Sequence, residues 1–177
     1  GFAVTDKCPF FYFSDVVVGE TTCDGKKKMY EYMSDFKNVY IMELPNTQNE
    51  AAQKLWKSEI IRFKEYLEEH FETTITDEAV KEAIKEENAV RTALKNLYGV
   101  MKYNPAPIKG YDLWKVLYGS GFKFDRKAIP AEINALVDKI EKEYAEGKME
   151  EKKPRILITG CPIGGAPEKV IRAIEDN

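Results

Sequence analysis

Two short runs rich in β-branched and aliphatic residues, Asp15-Val16-Val17-Val18-Gly19-Glu20 and the NVYIMEL of residues 38–44, enclose one amphipathic segment. This arrangement constrains the chain more than any other feature. Runs without polar alternation read as strands buried on both faces. Parallel neighbours need a crossover, usually a helix, and residues 26–36 supply one. Met29, Tyr32, Met33 and Phe36 fall on one face of it, the spacing of a helix that covers a sheet. Pro45 closes the second run, because it cannot donate to a ladder. The expected unit is β-α-β, part of a parallel sheet with helices on its faces.

From about residue 48 to 146 the pattern turns helical. Leu55, Trp56, Ile60, Phe63 and Leu67 keep helical spacing. Thr76-Asp77-Glu78 suits a second start, with a capping hydroxyl and two carboxylates at the positive end of the dipole. Ala79, Ala83, Val90, Leu94, Leu97 and Met101 give that helix its apolar side. Asn104-Pro105-Ala106-Pro107 breaks it. A short helix over 110–117 is expected next. Asp125 is placed to cap another that ends at Gly147-Lys148.

The polar stretch 150–154 reads as a linker. Residues 155–160 (RILITG) predict a third strand, 161–165 a loop, and 166–175 a helix with Val170, Ile171 and Ile174 inward. A lone strand and helix cannot bury a parallel-sheet core. The expected class is therefore α/β, in three parts. Residues 1–46 would be the C-terminal part of a first α/β lobe and 47–150 a helical region. Residues 151–177 would begin a second α/β lobe that continues beyond this chain.

Composition narrows the chemistry. The 27 Lys and Arg against 30 Asp and Glu give a net charge of −3, which argues against a generally basic surface for nucleic acid. No apolar run reaches the roughly 20 residues that span a bilayer, and no secretory leader is evident. A cytoplasmic, reducing setting is expected. Three cysteines cannot form a closed disulfide framework. One histidine, His70, excludes a zinc site built on several imidazoles. Redox or metal chemistry would fall to cysteine.

Two cysteines share a placement. Strand 15–20 runs into Thr22-Cys23-Asp24-Gly25 and a helix, and strand 155–160 runs into Gly160-Cys161-Pro162 and a helix. The carboxyl ends of parallel strands are where open α/β sheets bind ligands. A helix start also favours thiolate, the form that ligates iron or zinc. Cys23 and Cys161 are thus candidate ligands facing one cleft; the plainer reading is two small packed hydrophobes. Lys26-Lys27-Lys28 reads as a solvated helix face, with phosphate or an acidic partner as the alternative. Gly160-Cys161-Pro162-Ile163-Gly164-Gly165 lacks both nucleotide-loop spacings. Cys8 before Pro9-Phe10-Phe11-Tyr12-Phe13 reads as core leading into the first strand. His70, among Glu68, Glu69 and Glu72, reads as solvated. Glu20 and Glu43 lie at strand ends, either facing the cleft or acting as paired carboxylates.

The run Gly19-Glu20-Thr21-Thr22-Cys23-Asp24-Gly25-Lys26-Lys27-Lys28-Met29-Tyr30-Glu31 resembles the signature of the 2-hydroxyacyl-CoA dehydratase D-component family. Glu43-Leu44-Pro45, the pattern over 76–91 and the stretch 155–162 resemble its following segments. Residues 1–12 (GFAVTDKCPFFY) are most similar to its double-cubane-cluster reductase branch.

The resemblance implies Rossmann-like lobes whose mouths hold a [4Fe–4S] or double-cubane cluster on cysteines. Cys23 and Cys161 match cluster-ligand positions; Cys8 matches none. It further implies a separate iron–sulfur ATPase activator, the only user of ATP, and a paralogous or identical second subunit. The expected activity is radical dehydration of a 2-hydroxyacyl-CoA. Reduction of small molecules, as in the double-cubane branch, or of an aromatic ring, as in benzoyl-CoA reductases, is the alternative. A cluster-free scaffold that kept the fold is the alternative of another class. A further ligand cysteine of the family normally lies upstream of the point matching Gly1, and the second lobe continues past Asn177. The expectation is thus a fragment, inactive in isolation, since iron–sulfur clusters generally want a full cysteine set.

Overall fold

The computed structural model describes Thr5, residues 7–159 and residues 166–177. The chain is mixed α/β, mostly helical, with one small parallel sheet. It divides after Thr76 into two compact units.

The first unit contains α1 (Pro9–Phe13), β1 (Val16–Glu20), α2 (Asp24–Met33), β2 (Asn38–Met42) and α3 (Glu50–His70). The strands pair in parallel, Val16 opposite Asn38 through Glu20 opposite Met42, with α2 as the connection. The predicted β-α-β unit is present, although α2 starts and ends a little earlier than the apolar spacing suggests. Gly19 is buried, and a Cβ there would come within 2.7 Å of the Tyr30 ring. Only a bare backbone lets α2 lie this close. Asn49 caps α3, its side chain accepting the Ala52 N–H at 2.9 Å. The strands are not buried on both faces as expected. Val18 is 43% exposed and Ile41 38%, because a two-stranded sheet has two edges and little to cover it. The Cys8–Phe13 run is likewise a short helix with exposed Phe10, Tyr12 and Phe13, not core.

The second unit is helical: α4 (Asp77–Gly99), α5 (Gly110–Ser120), α6 (Ile129–Ala145) and α7 (Pro167–Glu175), with 3-10 turns at Val100–Lys102 and Arg126–Ala128. Its core joins Val90, Ala93, Leu97 and Val100 to Ile129, Ile133, Val137 and Ile140. Both sets keep steps of three and four, so each helix turns one stripe to the other. Burying an aliphatic side chain of this size is worth about 1.5–3 kcal/mol. Arg126 forks onto Glu87 (Nε–Oε1 3.0 Å, Nη2–Oε2 2.9 Å), and Lys127 meets Glu86 at 2.9 Å. Asp125 accepts the Ala128 N–H at 3.3 Å and so caps the 3-10 turn that leads into α6, not α6 itself as the sequence suggests; α6 starts at Ile129, with Ala128 in its N-cap position and no side-chain cap. Gly147, at φ +87°, lets the chain turn where α6 stops.

The third strand expected at 155–160 is not formed over its described part. Residues 155–159 carry neither helix nor strand, and Leu157 is 86% exposed. A parallel strand exists only beside a neighbour, and the described residues of this unit contain no other strand. Gly160 and the loop 161–165, Cys161 included, lie outside the described residues. The helix predicted after them is α7.

Candidate functional site

Two hydrogen bonds knit the carboxyl ends of β1 and β2 together, and a third ties them to α3. The Thr21 N–H donates to the Met42 carbonyl at 3.2 Å, which carries the ladder one step beyond the strands. The Leu44 N–H donates to the Thr21 hydroxyl at 2.8 Å. Between them, the Glu43 N–H donates to Glu59 Oε2 at 3.0 Å. Glu59 comes from α3, is 2% exposed, and takes Arg62 Nη1 on its other oxygen at 2.5 Å. A carboxylate this deep is tolerable because both oxygens have donors.

Cys23 follows Thr21, a member of this knot, by two residues. It is the N-cap residue of α2, with extended backbone (φ −154°, ψ 163°), and its carbonyl accepts the Lys27 N–H at 3.0 Å. Its side chain makes no capping bond and is exposed. The thiol therefore stands uncommitted at a helix start, where the first backbone N–H groups lack partners within the helix. Lys27 reaches Asp24 at 3.3 Å, and Lys28 reaches Glu31 at 2.6 Å while lying over the Tyr32 ring. Two of the three lysines are thus paired along their own helix. Lys26 makes no ion pair or hydrogen bond among the described residues. A cleft of about 410 Å³ opens beside the knot, bordered by Thr21, Lys27, Glu43, Leu44, Glu59 and Arg62.

The other singled-out residues are placed as follows. Cys8 caps α1, its sulfur accepting the Phe11 N–H at 3.4 Å. His70 is exposed and stacks on Tyr66 at 5.4 Å. Glu20 is exposed at the end of β1. Glu43 borders the cleft but joins the knot through its backbone. Thr21, Glu59 and Arg62 escaped the sequence reading. Glu59 had a signal: it falls on the apolar stripe of α3, four residues from both Leu55 and Phe63.

Among the described residues no three His, Cys, Asp or Glu side chains converge as a metal position. Of the sulfurs that an iron–sulfur cluster would need, the described residues place one, that of Cys23, exposed at the start of α2 just past the end of β1. Also among the described residues, no helix is long and apolar enough to cross a membrane.

The chain is similar to a protein of Escherichia coli (strain K12) named "Putative dehydratase subunit YjiM", 52% identical over 178 residues. The match takes in all of this chain and 46% of that relative, so the chain spans about half the length of the curated protein it matches. The family described as 2-hydroxyglutaryl-CoA dehydratase, D-component, matches residues 1–177. The chain belongs to the 2-hydroxyglutaryl-CoA dehydratase D-component family.

Proposed function

We propose that this chain is part of a 2-hydroxyacyl-CoA dehydratase subunit in which Cys23 and Cys161 ligate an iron–sulfur cluster. The observation that carries the reading is Cys23: a thiol free of capping duty, exposed, at the carboxyl end of a parallel strand and the first turn of a helix. Membership of the family supports the reaction class. When bound, the cluster supplies a low-potential electron and a Lewis-acidic iron to the thioester carbonyl. The electron comes from a separate iron–sulfur ATPase, and a second subunit completes the enzyme. The chain's own residues hold and tune. The Cys23 thiolate would hold iron, and the N–H groups opening α2 would favour negative charge beside it and so tune the cluster's potential. Thr21 and Glu59 fix the loop that presents Cys23. Lys26, unpaired among the described residues, offers a cation to an acidic partner.

The test is anaerobic reconstitution of the full-length protein with iron and sulfide. Cys23→Ser and Cys161→Ser should each hold clearly less iron than the parent; equal iron contradicts the assignment. The likeness of residues 1–12 to the double-cubane branch favours a second reading, ATP-driven reduction of small molecules. Mössbauer spectra showing twice the iron of a single cubane would select it.

A further inference from the structure

Only two residues, Thr21 and Thr22, separate β1 from Cys23. Their conformation decides where the sulfur stands. Thr22 folds back, its N–H donating to the Glu20 carbonyl at 2.8 Å. Thr21 is clamped twice. Its own N–H donates to Met42, and its hydroxyl accepts from Leu44. The second clamp is a side-chain bond, so it depends on residue type. A hydroxyl at this position accepts the Leu44 N–H; a methyl of the same shape cannot.

The donor side of this contact is itself braced. Glu43, immediately before Leu44, is tied through its N–H to buried Glu59, and Glu59 is held by Arg62. The result is an unbroken path from α3 to the cysteine loop: Glu59 to Glu43 by a hydrogen bond, Glu43 to Leu44 along the chain, Leu44 to Thr21 by a hydrogen bond, and Thr21 to Cys23 along the chain. Both oxygens of Glu59 are taken by Glu43 and Arg62, and the Thr21 hydroxyl is taken by Leu44, so neither is read as a ligand. Their geometry assigns them a different task.

We infer that Thr21, braced through Leu44 and Glu43 by Glu59, is the positioning residue that sets the Cys23 sulfur at the start of α2. This rests on the reading of Cys23 as a cluster ligand. Groups that orient a ligand also tune the metal it holds, so loss of the Thr21 hydroxyl should change the cluster's electronic signature and not merely the stability of the fold. The effect should follow the hydroxyl and not the shape. Thr21→Ser keeps the acceptor and loses a methyl; Thr21→Val keeps the shape and loses the acceptor.

The experiment uses the full-length protein, reconstituted without air with ferrous iron and sulfide. The parent, Thr21→Val, Thr21→Ser and Cys23→Ser are compared by iron content, rate of cluster loading, reduction potential and electron paramagnetic resonance. Thr21→Val should load at least about threefold more slowly, with shifted g-values and potential. Thr21→Ser should match the parent. Thr21→Val indistinguishable from the parent, while Cys23→Ser loses iron, overturns the positioning role alone. Cys23→Ser retaining full iron overturns the ligand reading, and the positioning role falls with it. Should Thr21→Val not fold, the parent still decides. Coupling between two sites is reciprocal, so loading must slow hydrogen exchange at the Leu44 amide. An unchanged Leu44 amide overturns the inference.

Discussion

The carboxylate of Glu175, the last residue of α7, accepts the backbone N–H of Gly110 at 2.5 Å and so caps the start of α5 from another helix. The Tyr111 N–H also reaches it, at 3.3 Å. Residue Lys109, in the local N-cap position, has no side-chain acceptor to offer. The Tyr111 hydroxyl donates to Glu168, and Arg172 donates to that same hydroxyl while lying over the ring. Glu175→Ala leaves the opening N–H groups of α5 without this acceptor. It should lower stability by about 1 kcal/mol, the usual worth of a lost cap. Glu175→Gln, which keeps an acceptor oxygen, should lose less. Thermal melting of the two variants beside the parent checks this order.

The core of the second unit turns on Leu97, which is fully buried between the α4 and α6 stripes. Leu97→Ala should cost about 2–5 kcal/mol, the transfer loss plus the cavity left behind. Exposed Ile84 on the same helix should cost well under half as much when changed to Ala. Urea titrations of both variants measure the contrast.

Gly19 lets Tyr30 lie against β1. A methyl at this position cannot coexist with the ring where it stands, 2.7 Å away. Gly19→Ala should destabilise the first unit by roughly 1–3 kcal/mol through overpacking. Tyr30→Ala in the same background removes the obstruction. The double variant should therefore be less unstable than the sum of the two singles, which a double-mutant melting series reads directly.

The acid limb of stability should carry the mark of Glu87. The Arg126 side-chain hydrogen bonds hold its carboxyl below the ordinary carboxylate range. A carboxyl depressed in the folded state stabilises the fold above its unfolded value. That contribution is lost as pH falls through the ordinary Glu value, about 4.3, and on through the lower folded one. Glu68 behaves alike, with the Ile75 N–H as its main partner and Lys64 second. Glu87→Gln should flatten the fall in melting temperature between about pH 5 and pH 3 and leave the slope near neutrality unchanged. Melting curves across that range check it.

The elements that were legible in the sequence are those held by local chemistry. The turn capped by Asp125 and the stop at Gly147 depend on residues within one turn of each other, and the β-α-β unit shows in two apolar runs set one helix apart. Contacts made across the chain left little trace. Glu175 and Gly110 are joined by folding and not by any spacing, and Thr21 looked like part of a motif, not a clamp on Leu44. Glu59 was half-legible: its place on an apolar stripe signals burial, but its partner Glu43 lies in another element. Residues 155–159 show the reverse failure. Their β-branched pattern is strong, yet a strand is a property of a pair, and no partner strand is present among the described residues of that unit. Around the candidate site, the placement of Cys23 at a helix start is legible in the sequence, while the hydrogen-bonded knot two residues before it is not.

The central claim is that the Cys23 sulfur binds iron. An anaerobic crystal of the full-length protein, measured at the iron absorption edge, tests it most directly. The account predicts an anomalous iron peak bonded to Cys23 Sγ at the start of α2. Iron located elsewhere in the molecule, with that sulfur facing solvent, would contradict it.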